Sequence, residues 1–342
     1  MSLLLERLLT PSSLDESEAS ALFTALADPR TSPALAGAYL AALRVKGEST
    51  AEVLGLVRAM RKSALPCDLA PAYRLVDVVG TGGDHAGSFN LSTGSALLAA
   101  AAGALVAKHG SGAVSSRSGA ADLLAALGLP IPQDAAGARA LLHATGFTFL
   151  HAPAYHPALS GIGEVRRALG TRTVFNILGP LCNPASPPFA VIGASSPVVA
   201  RVIADAASQL PFERVFVVHG AESWDEPTPI GRFQLFDVRP GSVIFQTRDP
   251  LAAGLPRCAA SELRGGEPAA NARALRAALS GERGAHRDAL VLGAALALEV
   301  SGRSPDPLSA VAEASAAIDD GRAENLLVRV ATWNSQGRNE HA

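Results

Sequence analysis

One segment constrains this chain more than any other. Leu75-Val76-Asp77-Val78-Val79, a short β-branched run, leads into Gly80-Thr81-Gly82-Gly83-Asp84 and then into an alanine-rich stretch from about Thr93 to Gly103. Strand, tight turn and helix in that order open an α/β domain. Glycines let the backbone come close to a ligand, and N–H groups at a turn and helix start point towards anionic oxygens. Ser88, Asn90, Ser92 and Thr93 add polar groups before the helix. Two phosphate-binding patterns are excluded, because His85 stands at the last glycine position of a dinucleotide fingerprint and no Gly-Lys-Ser/Thr follows for a Walker loop. Taken alone, the loop reads more readily as a tight turn capped by Ser92 or Thr93.

The rest of the chain repeats the alternation. Strands are expected at Ala104 to Ala107, Phe147 to Leu150, Ala190 to Gly193 and Val215 to Val218, with helices between them such as 118–127 and 134–145. That order predicts a mostly parallel sheet. Long helices near 270–280, 287–299 and 306–320 cover it, and the polar end from Asn334 to Ala342 frays. Upstream, residues 1 to about 65 read as helices, with apolar Leu35, Tyr39, Leu40 and Leu43 at helical spacing and Asp15 and Ser49 where N-caps belong. Pro66 closes that region. About 150 residues per domain divides the 342 residues into two.

Composition narrows the function classes. Alanine supplies about a fifth of the chain, well above ordinary usage, and only 5% of residues are aromatic, so the cores are built from small side chains. Lys+Arg 29 against Asp+Glu 31 gives a formal net charge of −2, which offers no general attraction to nucleic acid or an acidic membrane. A small anion held by a local cluster remains compatible with that balance. Cys67, Cys182 and Cys258 are distant and odd in number, against a disulfide framework or a cysteine zinc site and in keeping with a reducing cytoplasm. The longest apolar run, Ala96 to Ala107, is broken by Gly103 and is short of the ~20 residues that span a bilayer. The N-terminus lacks a basic region before its apolar residues and does not read as a signal peptide.

Three further clusters shift the reading of the glycine turn. Lys108 to Gly119 follows the second strand and packs two cations, four hydroxyls and three glycines into twelve residues, a composition that no core requires. It suits a phosphate cradle, with Lys108 and Arg117 balancing charge. Two such loops at the carboxyl ends of neighbouring parallel strands face one crevice. The strand at Val215 to Val218 leads through His219-Gly220 to Asp225-Glu226. Adjacent carboxylates on an exposed loop are ordinarily just solvated, but at the same sheet edge they suit Mg²⁺ working with substrate phosphates. In the stretch from Gly163 to Pro180, Arg166 and Arg167 cannot share a helix face, so one should point away from any ligand, and an arginine lining the crevice would grip a carboxylate. His151 and His156, five apart across two prolines, lack helical metal-ligand spacing and read as loop or packing residues.

Together these residues resemble the anthranilate phosphoribosyltransferases of tryptophan biosynthesis. The likeness rests on Ala41-Ala42-Leu43-Arg44-Val45-Lys46-Gly47-Glu48, Asp77 through Asp84, Asn90-Leu91-Ser92-Thr93, Lys108-His109-Gly110, Val165-Arg166-Arg167 through Asn183-Pro184, and Asp225-Glu226. It implies a small all-helical domain plus a larger α/β domain with a mostly parallel central sheet: residues 1–70 with a second segment near 165–185, then 71–164 and 186–335, with 336–342 a frayed tail. It also implies a cytoplasmic, magnesium-dependent pentosyltransferase that joins the amine of anthranilate to 5-phosphoribosyl pyrophosphate (PRPP) and releases pyrophosphate, working as a homodimer through the helical domains. Gly80, Gly83, Asp84, Ser88, Asn90, Leu91, Ser92 and Thr93 would hold PRPP, as would Lys108, His109, Gly110, Ser111, Gly112, Ala113, Val114, Ser115, Ser116 and Ala120. Gly80, Ser111 and Arg166 would meet anthranilate, and Ser92, Asp225 and Glu226 would bind two Mg²⁺ ions. No general base is assigned, since an aryl amine loses its proton easily after attack and positioning matters more.

The chain also departs from the family pattern. Ser111-Gly112 stands where the family has Asn-Arg after Lys-His-Gly, and Ala120 where it has Ser. Each lost hydrogen bond to a charged group is worth ~1.5–3 kcal/mol, about ten-fold or more in binding. By the resemblance the missing Asn is an anthranilate contact, the missing Ser a phosphoribosyl contact and the missing Arg one cation of the loop. The phosphoribosyl site is otherwise well supplied, so the acceptor site is the part these changes bear on. A transferase for another aromatic amine, a pyrimidine nucleoside phosphorylase and a non-catalytic nucleic-acid binder are the alternatives, the last opposed by the near-neutral charge.

Overall fold

A computed structural model describes residues 3–69, 73–83, 87–113 and 117–337. Four helices open the chain: α1 (Leu3–Leu8), α2 (Glu16–Ala27), α3 (Pro33–Lys46) and α4 (Thr50–Ser63). Asp15 and Ser49 cap α2 and α4 as expected, accepting from the N–H groups of Glu18 and Glu52, whose side chains return the bond to the cap residues. Glu52 does more than close its box. Fully buried, it also accepts from Leu14 N at 2.8 Å and pairs with Lys46 Nζ at 2.8 Å.

The α/β part follows as β1 (Leu75–Gly80), α5 (Leu91–Ala101), β2 (Leu105–Gly110), α6 (Ala120–Ala126), α7 (Ala135–Thr145), β3 (Phe147–His151) and α8 (Ala152–Tyr155). Next come α9 (Ile162–Leu169), α10 (Val174–Leu181), β4 (Phe189–Gly193), α11 (Pro197–Ala207), β5 (Arg214–His219), β6 (Phe233–Arg239) and β7 (Ser242–Arg248). The chain ends in α12 (Pro268–Leu279), α13 (Ala285–Val300), α14 (Pro307–Asp319) and α15 (Arg322–Gly337). One sheet holds all seven strands in the order β3-β2-β1-β4-β5-β6-β7. The first five are parallel, and β6 and β7 extend them antiparallel.

All the expected strands are present, with two corrections. The strand expected at Ala104 to Ala107 runs on to Gly110, so Lys108 and His109 belong to β2 and not to the loop after it. The β6–β7 hairpin was not read from the sequence, although Pro240-Gly241 between two apolar runs is a turn signal. At the far end, α15 carries helix through Gly337, past the Asn334 where fraying was expected. Among the described residues no helix is long and apolar enough to cross a membrane.

Side-chain alternation divides the core between the two sheet faces. Val76, Val78, Val106, Phe149, Val191, Phe216 and Val218 join the core formed with α5 and α12–α15. Ala190, Ile192, Val215 and Val217 face the other way, into a core shared with α11 and α2–α4. The high alanine content has its reason in the first of these layers. Helix α5 lies between the sheet and α13 and is buried around nearly its whole circumference, which only small side chains allow. Helices α9 and α10 contribute Ile162, Val165, Phe175 and Leu178 to the second core, against α3 and α4.

Candidate active site

Strand β1 lies between β2 and β4, the point where successive crossovers reverse direction along the sheet. Open α/β sheets bind ligands at such a point, at the carboxyl ends of the strands. A cavity of about 620 Å³ is found there. Its wall includes Gly80, Gly83, Ser88, Asn90, Ser92, Lys108, His109, Gly110, Ser111, Gly112, Ala113, Ala120, Arg166, Asp225 and Glu226, so most residues expected at the site meet in one place. Leu91 instead packs in the core and Thr93 is buried, neither at the cavity wall. Arg117, expected to balance phosphate charge, is exposed and does not line the cavity. Asp84, Val114, Ser115 and Ser116 lie outside the described residues.

The glycine turn is shaped by the segment carrying Asp225 and Glu226. A Cβ at Gly80 would lie 2.6 Å from Asp225 Oδ2, and one at Gly193 only 1.7 Å from Asp225 O, so both strand ends must be bare. Gly82 N donates to Asp225 Oδ2 at 2.5 Å, and Ser92 N donates to Glu226 Oε1 at 2.7 Å. That second bond discriminates against a plain capped turn, because Asn90 precedes α5 without a side-chain cap and a distant carboxylate takes the free helix N–H. Both carboxylates are buried, Asp225 at 5% exposure and Glu226 at 7%, so they are not the solvated charges of an ordinary loop. Buried Trp224 beside them anchors the segment. With Ser92 Oγ they form an oxygen-only donor set suited to a hard divalent cation. Among the described residues no group of three or more His, Cys, Asp or Glu could hold a metal, so ligand oxygens and water would complete the coordination.

Lys108 is almost wholly buried, with Nζ donating to Val78 O at 2.5 Å and to Ser92 Oγ at 3.4 Å. Burial pulls its pKa down, against the pull of Asp77 and Glu226. Asp77, which the sequence reading did not select, is buried beneath the loops. Its carboxyl is pushed up to about 6 by burial, opposed by Lys108, the Asn183 amide and the His109 N–H.

The other wall is made of side chains. Arg166 of α9 is half-buried, its guanidinium 5.3 Å from the centre of the Phe175 ring. Arg167 is exposed but also borders the cavity, so neither arginine is turned fully away as expected. His156, read as a packing residue, lines the cavity 5.4 Å from the His109 ring. Burial drives the His109 pKa down to about 3, and that of His156 downwards, leaving both imidazoles neutral near pH 7. His109 Nδ1 meets Gly179 O at 3.2 Å and His156 Nε2 meets Cys182 O at 3.2 Å. A carbonyl only accepts, so each of those nitrogens carries the proton. His109 Nε2 and His156 Nδ1 are then lone pairs, without a hydrogen-bond partner among the described residues.

Helix α10 links the two walls. Asn176 Nδ2 donates to Thr81 O at 3.0 Å in the glycine turn, while Gly179 and Cys182 hold the histidines. Arg172, also unselected, lies where a Cβ on Gly83 would come 2.3 Å from its Cδ, and donates to Ser195 Oγ. Among the positions that depart from the family pattern, Ser111 Oγ donates to Gly112 O at 3.1 Å, and Ala120 approaches Gly110.

Comparisons with known proteins agree with this geometry. Residues 2–64 match the family model for the helical bundle domain of a glycosyl transferase family, and residues 72–324 match that for its a/b domain. The anthranilate phosphoribosyltransferase of Methylobacterium radiotolerans is 44% identical over 317 residues, 93% of this chain and 91% of the relative. The crystal structure of anthranilate phosphoribosyltransferase from Thermus thermophilus superimposes with a TM-score of 0.88 at 39% identity, covering 96% of this chain and 98% of that one. The Saccharomyces cerevisiae enzyme in complex with PRPP and Mg gives 0.87 at 27% identity, covering 97% of each chain.

Proposed function

The chain belongs to the anthranilate phosphoribosyltransferase family, and we propose that it transfers the phosphoribosyl group of PRPP to anthranilate with its donor and acceptor held on opposite walls of the cavity at β1. The observation that carries this reading is the convergence of the Gly82 and Ser92 N–H groups with the buried Asp225-Glu226 pair.

The reaction breaks the bond from C1 to pyrophosphate and forms one from C1 to the amine nitrogen, so negative charge gathers on the leaving group. The Gly82 and Ser92 N–H groups are taken by Asp225 and Glu226, which fixes the turn and the start of α5 in place, so the leaving group's charge falls to Lys108 and to the cation the carboxylates would hold. Lys108 adds an ammonium beside Ser92 Oγ. Magnesium, when bound by Asp225, Glu226 and Ser92, supplies Lewis-acid stabilisation of the pyrophosphate. Asp225 reaches the Gly82 turn and Glu226 the start of α5, two separate positions that support two ions in place of one. On the far wall Arg166 is placed to grip the anthranilate carboxylate with a guanidinium fork. His109 and His156, neutral and packed together on that wall, orient the acceptor by shape, their unpartnered Nε2 and Nδ1 atoms being buried. A histidine held near pKa 3 is a poor base, in keeping with positioning and not proton abstraction.

Three finer points go with this reading. The helical domain comprises residues 1–70 and a second piece near 165–185, supported by the core that α9 and α10 share with α2–α4. Exposed Leu3, Leu9 and Val45 on that domain support a homodimer through it, which light scattering of the purified protein would test. The three free cysteines support a reducing, cytoplasmic location.

The decisive experiment supplies Mg²⁺, PRPP and anthranilate and follows anthranilate fluorescence. Its disappearance with stoichiometric pyrophosphate is the expected result. Persistent fluorescence, with pyrophosphate released only when another amine is offered, would move the acceptor assignment. Phosphorolysis of thymidine or uridine would overturn the donor.

A further inference from the structure

The pairing of β1 with its two neighbours is unequal. With β4 it is registered from Val76↔Phe189 to Gly80↔Gly193, and β2 stays with β3 as far as Gly110↔His151. Between β1 and β2 the registered pairs are only Leu75↔Leu105 and Val76↔Val106. The ladder between β1 and β2 is therefore interrupted at the centre of the sheet, beneath the cavity, while the two strands stay side by side.

Peptide groups that a continuous ladder would have paired are met by three side chains instead. His109 N donates to Asp77 Oδ1 at 3.2 Å, and Asn183 Nδ2 donates both to Ala107 O at 2.8 Å and to Asp77 Oδ2 at 2.9 Å. Lys108 Nζ takes Val78 O. Every one of these groups is buried, where an unmet donor or acceptor is costly. The interruption is thus a built feature, bridged by a carboxylate that accepts an N–H of β2 on one oxygen and the Asn183 amide on the other.

We propose that Asp77, braced by Asn183, is a positioning residue for the transfer: it takes the place of the missing ladder bonds between β1 and β2 and so fixes Lys108–His109 relative to the Gly80–Gly83 turn. This rests on the proposed function, in which that turn holds pyrophosphate and the second strand end supplies Lys108 and His109. Asp77 does not line the cavity and touches no substrate. A carboxylate is required because asparagine has one acceptor oxygen, and its NH₂ would face a donor. Asp77 also places a negative charge under the Lys108 ammonium, which burial would otherwise discharge.

The test measures binding of inorganic pyrophosphate with Mg²⁺ by calorimetry, together with steady-state turnover, in the full chain. Asp77→Asn leaves a buried donor facing a donor, and its Mg-pyrophosphate affinity is expected to fall about ten-fold with a loss in kcat. The exchange variant Asp77→Asn with Asn183→Asp restores donor to acceptor between the two side chains but turns a carboxylate towards Ala107 O, and is expected to recover only a small part of that affinity. Glu52→Gln, which disturbs a buried carboxylate in the helical domain, controls for lost stability and is expected to keep wild-type affinity. Should Asp77→Asn fail to fold, Asn183→Ala removes the brace alone and is expected to show a smaller loss in the same direction. Wild-type affinity and kcat in a folded Asp77→Asn or Asn183→Ala would overturn the proposal, as would equal losses in Glu52→Gln. A wild-type protein that binds no Mg-pyrophosphate would overturn the functional reading instead.

Discussion

The two walls of the cavity are made of different material. On the donor side the parts that would enclose pyrophosphate are strand and helix ends whose peptide N–H groups are fixed by Glu226 and by Asp225, which strands β1 and β4 approach so closely that only glycine fits at positions 80 and 193. On the acceptor side they are the tips of side chains, Arg166 from α9, His109 from β2 and His156 after α8. Backbone geometry leaves little room for variation without losing the fold, whereas a side chain is exchanged by one mutation. This chain's departures at Ser111, Gly112 and Ala120 leave the donor turn untouched.

If the division holds, damage on one wall should spare the other. The largest effect is expected from Asp225→Asn, which removes a charge from the carboxylate pair: kcat/KM for PRPP should fall about a hundred-fold or more while the KM for anthranilate changes little. An equal rise in both KM values would break the comparison. Next comes acid stability, where His109 on the acceptor wall and Asp77 beneath the site should respond with opposite sign. His109 is held near pKa 3 against 6.5 when unfolded, so its contribution is intact above pH 6.5 and is lost as pH falls towards 3. Between pH 7.5 and 5 this loss is about 2 kcal/mol. Asp77, raised to about 6 from 3.8, works the other way. It adds stability as pH falls through 6, about 1 kcal/mol by pH 5. Urea denaturation at the two pH values should show a smaller acid loss in His109→Gln than in the wild type, and a larger one in Asp77→Asn.

Arg166→Ala sharpens the acceptor side, with an anthranilate KM expected to rise about ten-fold and no change in Mg-pyrophosphate affinity. The smallest effect is a gain. Ser111→Asn, which restores an amide where the family has one, should improve anthranilate kcat/KM a few-fold, and a loss would refute the account of that position.

The same contrast explains what could be read in advance. Gly80, Gly82 and Gly83 announce themselves because the backbone there admits nothing larger or must turn to positive φ. The parallel sheet followed from β-branched runs alternating with helices. His156 was passed over because a histidine between prolines carries no periodic signal, and its role comes from Cys182, distant in sequence. Asp225 and Glu226 looked exposed, and Trp224 before them was the unused sign of burial. Asp77 had a sign too: a lone carboxylate within Leu75 to Val79 sits in a strand with no solvent face, so it must answer to buried donors. Which donors, only tertiary structure could tell.

Placing β1 beside β4 has a kinetic consequence. Those strands pair in parallel from Val76↔Phe189 onwards, across a stretch that includes β2, β3 and the α9–α10 segment. Closing so long a loop is slow, and local helices form well before it. Refolding should therefore recover helical ellipticity in an early phase and transferase activity in a later one, because Gly80 and Gly193 flank Asp225 only after the central pair has zipped. Enzymatic activity in this fold is a clock for the closing of its central strand pair.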